Sequence, residues 1–388
     1  MVSLSSTASL IALRHDRPAD RRRFLEVGRR LYRHDPLWVA PLDSELHRVL
    51  GPDNPFFAHA EIQLWIAQRE GRDCGRIAAI EDRTHNAIHG ERTAFFGFFE
   101  SIDCPETAKA LLNAAGEWAH QRGLNHLRGP MNPSINDECG LLVSGFDDPP
   151  ALMMNYNPPG YARLLEGAGF TKVKDLLAFR INVAQAPAAR LQRLRQELTR
   201  RHPGIQLRPV SRASLSGDVP RIKRIYNEAW ERNWGAVPLT DAEIDFLVER
   251  LQPLLVDGLV WLAESDTEPV GFLLALPDFN EALHPLRGRL LSPGLLRALP
   301  YLFGWKRPKR IRLVALGVRR EFRGRGIEAA MLAGTLEASQ RDGYSECEAS
   351  WVLEENTAVH RLVRVFGGQP GKIYRIFGRT SAPVFSRF

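Results

Sequence analysis

Residues 311–332, IRLVALGVRREFRGRGIEAAML, decide the fold. Ile311 to Val318 is β-branched and aliphatic, a buried-strand composition, and it stops at a basic, glycine-bearing turn, Arg319 to Gly326, before a helical run begins at Ile327. A strand therefore feeds a helix through a loop that can hold an anion. Gly324 and Gly326 carry no Cβ to block a phosphate from backbone N–H groups, and Arg323 and Arg325 add charge beside the positive end of the helix dipole. A diphosphate suits such a loop. The bland alternative is a strand-turn-helix whose arginines are merely solvated.

Two other phosphate loops are excluded by spacing. The Walker pattern GxxxxGK[ST] is absent, and no GxGxxG follows a strand. What is present, Arg323-Gly324-Arg325-Gly326-Ile327 after a strand carrying Leu316-Gly317-Val318, resembles the R/Q-x-x-G-x-G/A loop of the GNAT acyltransferase superfamily. The resemblance implies a coenzyme A pyrophosphate on residues 323–327 and pantetheine along Leu316, Gly317 and Val318. Glu328 departs from it, standing where the family has Gly or Ala; an acid there suits the helix dipole but repels a diphosphate.

At 388 residues the chain suits two domains. Its halves repeat a pattern. LYRHDPLWVAPLDSE in the first half parallels IYNEAWERNWGAVPLTDAE in the second, each following a helical stretch. Hairpin-like pairs follow at 62–68 with 75–80, and at 260–264 with 270–276. Central strands at 93–100 and 311–318 come next, then helices at 105–122 and 327–341, a further strand, glycine-closed helices from Tyr161 and Thr357, and final strands at 176–182 and 373–378. The expected fold class is α/β (α+β): two tandem GNAT-like domains, each a mixed, mostly antiparallel central sheet flanked by helices. We expect a degenerate N-terminal domain at 1–183, a basic linker helix within 184–204, and a C-terminal acyl-CoA-binding domain at 205–388 with an insertion at 284–310.

Charge separates the halves. Residues 1–183 hold 21 Lys and Arg against 23 Asp and Glu, and the remainder 31 against 22. The basic surplus thus lies with the anion loop, and nucleic acid, an anionic membrane or an acidic cofactor could each account for it. Four scattered cysteines without a CxxC pair predict neither a disulfide framework nor a structural metal. With no long apolar run, the expectation is a cytoplasmic protein, or one peripheral on the inner face of the cytoplasmic membrane.

After its central strand the first half reads Glu100-Ser101-Ile102-Asp103-Cys104-Pro105, with two acids and no glycine, so no diphosphate site is expected there. Its unusual content is GPMNPSINDECG at 129–140 and MMNYNPPGY at 153–161. Asn132, Glu138 and Tyr156 could line a polar site, or simply cap two turn-rich loops.

In GNAT-like enzymes an amine attacks the bound thioester directly, so the protein positions, deprotonates and stabilises. The resemblance places Asn356 beside the cofactor. The Tyr that usually protonates the leaving thiolate is replaced by Val363. His360 shares a helix face with Asn356 and Val363 and is the candidate acid or base, with Glu138 next. Acceptor recognition in such folds points to Tyr226, Asn233 and Trp234, and to Asp278 and Asn280; Tyr226 and Trp230 also fit a packing stripe.

Residues 284–310 set leucines, Phe303 and Trp305 among seven Lys and Arg. An interfacial helix at an anionic bilayer fits this pattern, as do a lid and a dimer surface. The whole chain resembles a tandem GNAT protein, and its organisation is similar to the long bacterial GNAT-like group that includes ceramide synthases. That implies transfer from acyl-CoA to an amine, here a long acyl chain to a sphingoid base, with no metal. An acetyl-CoA-dependent small-molecule N-acetyltransferase and a non-catalytic CoA-binding scaffold are the alternatives. Nucleic acid is not expected, because the basic residues interleave with leucines.

Overall fold

The computed structural model describes residues 8–231 and 233–381. The first half runs β1 (Ser9–Leu13), α1 (Pro18–Leu31), α2 (Asp43–Val49), β2 (Ala60–Arg69), β3 (Arg72–Asp82), α3 (Arg83–His89), β4 (Thr93–Ser101), α4 (Pro105–Gln121), β5 (His126–Gly129), β6 (Met131–Asn132), β7 (Glu138–Cys139), β8 (Leu141–Ser144), α5 (Tyr161–Gly167) and β9 (Thr171–Asn182). The second runs α6 (Ala188–Arg201), β10 (Ile205–Pro209), α7 (Leu215–Trp230), α8 (Asp241–Leu251), β11 (Val260–Ser265), β12 (Glu268–Pro277), α9 (Asn280–Leu283), α10 (Leu295–Leu302), β13 (Arg310–Val318), α11 (Ile327–Arg341), β14 (Glu346–Leu353), α12 (Thr357–Val365) and β15 (Gln369–Thr380).

Among the described residues these elements form two compact units, one of residues 8–176, 283–295 and 372–381, the other of 177–231, 233–282 and 296–371. In the first, strands lie in the order β1-β2-β3-β4-β5-β15, so the last strand of the chain closes the sheet that the first strand opens. In the second the order is β14-β13-β12-β11-β10, with the later part of β9 beside β14. Most pairings are antiparallel; β4 with β5 and β13 with β14 are parallel, and each of these pairs is joined through a helix, α4 or α11. The fold is the mixed, mostly antiparallel α/β arrangement the sequence pattern predicts.

Both hairpins turn where the chain tolerates positive φ: Glu70-Gly71 at 50° and 74°, Asp266-Thr267 at 48° and 72°. In the second unit α11 is buried along nearly its whole length against Trp261, Leu273 and Leu313, and α6 joins it through Arg195 to Glu337. The first core packs α4 and α5 on Phe96, Leu127 and Phe377. Helix α7 starts at Leu215 and carries Pro220 inside it. Pro220 is the sixth residue of this helix, so it withholds the N–H that would otherwise bond the Ser216 carbonyl four residues back.

Candidate functional site

Strands β13 and β14 pair in parallel only from Arg310–Leu313 opposite Glu346–Ala349. Beyond that point they part. On its other side β13 stays paired with β12, with a shift in register that leaves Val314 opposite no residue. Arg319 donates its N–H to the Val270 carbonyl 2.8 Å away, which sets the alternation of the antiparallel ladder: Gly317 bonds towards β12, whereas Leu316 and Val318 turn their polar groups the other way. The Val318 carbonyl is taken by Arg323 Nε at 3.0 Å. Among the described residues the Leu316 N–H and C=O therefore stand on an open strand edge.

The end of that edge leads into the anion loop. Gly324 and Gly326 have φ of 76° and 85°, a region that favours glycine, and a Cβ at either would meet nothing within 4 Å, so the loop borders open space. Gly326 is the N-cap of α11 and no side chain caps the helix, leaving its first N–H groups facing that space. Ile327 is buried and locks the first turn to the core. Arg323 also donates to the Ala229 carbonyl at 2.7 Å, so it braces the loop against α7 while lending positive charge. Arg325 packs over the Phe322 ring and donates to the Glu321 carbonyl. Glu328 is partly buried in the first turn, and burial pushes its carboxyl above the usual range, against the pull of Arg323.

Gly317 has a separate reason to be glycine: a Cβ there would come within 2.6 Å of the Trp230 ring. Trp230 and Tyr226 lie 4.9 Å apart by ring centroid and both pack on Phe272, so this pair forms the wall behind β13. Asn233 and Trp234 follow the helix end, where the Asn233 N–H returns to the Trp230 carbonyl; both are partly exposed. Asp278 is buried, 3.9 Å from Arg310, and accepts the Asn280 N–H at the start of α9. Its visible bonds hold the β12 end in place.

Asn356 is the N-cap of α12 and accepts the Val359 N–H at 3.2 Å. His360 sits one turn on. Its Nε2 donates to the Leu353 carbonyl 3.1 Å away, which leaves Nδ1 as the ring nitrogen that can pass a proton. The ring packs 5.3 Å from Phe179. Val363 is fully buried.

One cluster went unread in the sequence. Arg312 and Glu348, both about 4% exposed, face each other where β13 and β14 are still paired. Arg312 donates to Ser350 Oγ and its carbonyl, Ser350 donates to Glu348, and Arg310 reaches Glu348 at 3.4 Å. The signal existed: Arg310 and Arg312 alternate in one strand, Glu346 and Glu348 in another, and the parallel register matches them pair by pair. These bonds knit the strands just before they part.

The first unit repeats the geometry with the opposite outcome. Strands β4 and β5 pair over Thr93–Phe95 and His126–Arg128 and then part. Here the vacated edge is filled by the chain itself. Asn132 Oδ1 accepts the Phe98 N–H at 2.6 Å, Tyr161 Oη accepts the Ser101 N–H, and a Cβ on Gly97 would fall 1.7 Å from the Met131 carbonyl oxygen. Asn132 Nδ2 bonds Asn155, which bonds the Gly140 carbonyl. Glu138 lies opposite Asn132 in the β6–β7 hairpin and is partly buried. Tyr156 donates to Asp35 at 2.9 Å, and burial together with that acid pushes its phenol up. Glu100 is buried between Tyr32 and Tyr161, at 2.7 and 2.8 Å, and burial raises its carboxyl. The cavity of about 560 Å³ beside α1 is basic, but Arg23 and Arg30 face Asp73 while Arg29 and Arg289 face Glu26.

An open β edge running into an uncapped, glycine-bearing helix start can take an added extended chain that ends in an anion. Residues 219–367 match the acetyltransferase (GNAT) family. The chain is 36% identical to a protein of Caulobacter vibrioides named "Bacterial ceramide synthase", over 96% of this chain and 98% of that one. The chain belongs to the GNAT family. It is also 32% identical to Protein YghO of Escherichia coli, over 92% of each. Among solved structures, a tandem GNAT protein from the clavulanic acid biosynthesis pathway shares the fold at TM-score 0.61 and 12% identity, over 97% of this chain and 99% of that one. A GCN5-related N-acetyltransferase from Sphaerobacter thermophilus does so at TM-score 0.52 and 18% identity, over 96% of each. Acyl transfer is the chemistry of this GNAT chain.

Proposed function

We propose that the protein transfers an acyl group from a CoA thioester to a primary amine, and that donor and acceptor are a long-chain acyl-CoA and a sphingoid base. The observation that carries the first part is the free Leu316 edge continuing into the Gly324–Gly326 loop. Pantetheine would run along Leu316–Val318 as an added strand, and the diphosphate would lie against the first N–H groups of α11, with Arg323, Arg325 and Ile327 shaping the loop and Asn356 beside it. The lipid acceptor is supported by the relative named as a ceramide synthase, similar along nearly the whole chain.

In the reaction the amine nitrogen attacks the thioester carbonyl, a C–N bond forms, the C–S bond breaks, the amine loses a proton and the thiolate gains one. His360 Nδ1 is the proposed proton carrier. Tyr226, Asn233, Trp234, Asp278 and Asn280 are proposed to shape the acceptor side. The first half, 1–183, is proposed to hold no cofactor, since its slot is filled by residues 131–132 and Tyr161.

The test is to incubate the protein with palmitoyl-CoA or acetyl-CoA and sphinganine, reading N-acyl product by mass spectrometry and free CoA by thiol release. N-palmitoyl sphinganine with little acetylated product is expected. Acetyl transfer to small amines alone would overturn the acceptor assignment, and CoA binding without turnover of any amine would make the chain a scaffold.

A further inference from the structure

Helix α10 has two faces. Ala298 and Tyr301 are buried, and Tyr301 donates to Glu281, which also accepts the Lys309 N–H at 2.7 Å, so the segment is pinned at both ends to one carboxylate. The other face and its continuation are bare: Leu296, Leu302, Phe303 and Trp305 are 74, 64, 63 and 78% exposed, and the Phe303 and Trp305 rings stack at 5.2 Å. Four large apolar side chains concentrated in ten residues mark a surface made to be covered.

Charge decides what covers it. No acidic residue occurs between Glu281 and Glu321, while Arg297, Lys306 and Arg307 flank the bare face. Lys306 lies over the Tyr301 ring at 4.8 Å, and Arg297 and Lys306 are exposed. A second copy would bring the same positive sign to a symmetric contact and be repelled. A nucleic acid would meet leucines where it needs a polar, stacking groove. An anionic bilayer satisfies both parts, taking the leucines and aromatic rings at the acyl boundary and the cations among its headgroups. With eight residues α10 is too short to cross, and no helix among the described residues is long and apolar enough to do so.

We propose that the face formed by Leu296, Leu302, Phe303 and Trp305, with its basic flank, docks the protein in the plane of an anionic phospholipid bilayer. The inference stands on this patch alone and does not depend on which amine the enzyme acylates.

The experiment is co-sedimentation of the full chain with phosphatidylcholine vesicles, with and without phosphatidylglycerol, at low and high salt. Binding should require phosphatidylglycerol and weaken with salt. Phe303→Ser with Trp305→Ser, and separately Arg297→Glu with Lys306→Glu, should each weaken it by about tenfold or more while circular dichroism stays unchanged. In wild type, brominated lipid should quench part of the tryptophan emission, a readout needing no variant. Absence of vesicle binding, binding indifferent to both variants, or self-association lost in Phe303→Ser with Trp305→Ser without any vesicle binding would each overturn the proposal.

Discussion

Asn132 Oδ1 accepts the Phe98 N–H at 2.6 Å, and that bond fills in the first unit the slot that stays open along Leu316 in the second. An internal side chain does there what an added strand would do. Asn132→Ala leaves the Phe98 N–H unsatisfied beside a carbonyl-lined wall, so unfolding free energy should drop by about 1–3 kcal/mol in urea denaturation. Gly97→Ala, which drives a Cβ into the Met131 carbonyl, should cost about as much. Stability unchanged in both variants would mean that the plug contributes nothing to the fold.

Gly326→Val places a branched side chain over the helix start from a backbone at φ 85°. Because a Cβ there touches no protein atom, the chain around it need not move, though the left-handed backbone itself costs on the order of 1–3 kcal/mol. Affinity for CoA, read by calorimetry, should fall on the order of tenfold or more. Equal affinity in variant and wild type would remove the loop from the cofactor site.

How legible these features are depends on the range of the interaction that makes them. The strand, turn and helix at 311–341 follow from neighbours in sequence, so composition and glycine spacing reveal them. The plug does not, because Asn132 meets a backbone group 34 residues away, and GPMNPSINDECG reads locally as a turn. Strand exchange escapes for a similar reason: a period of two says that residues 373–378 form a strand, not that β5 is its neighbour. Arg323 is visible as a charge, but only the fold reveals that it also ties two carbonyls.

His360→Ala removes the ring whose Nε2 is held by the Leu353 carbonyl and whose Nδ1 is left to pass a proton beside the α12 cap. If it carries the proton, turnover should fall by about 10²–10⁴-fold with CoA affinity unchanged, and the pH–rate profile should lose a limb. His360→Gln keeps a donor for the Leu353 carbonyl and serves as the structural control. A loss below about threefold in both, with the profile unmoved, would assign the ring to packing against Phe179.

Glu328 offers a test through pH. Burial raises its carboxyl above the ordinary value, so it takes up a proton at a higher pH than a solvated Glu would. Ionised, it repels a diphosphate at the α11 start; protonated, it does not. CoA affinity should therefore rise as pH falls through the folded value of Glu328, and decline as pH climbs past it. The phosphates of CoA titrate too, but equally for any variant, so the difference between proteins isolates the carboxyl. Glu328→Gln should bind CoA more tightly at neutral pH by about fivefold, for roughly 1 kcal/mol between unit charges 4 Å apart in water. The gap should close at low pH, where the wild-type carboxyl is neutral. A constant gap across the range, or none at neutral pH, would place the carboxylate away from the bound diphosphate.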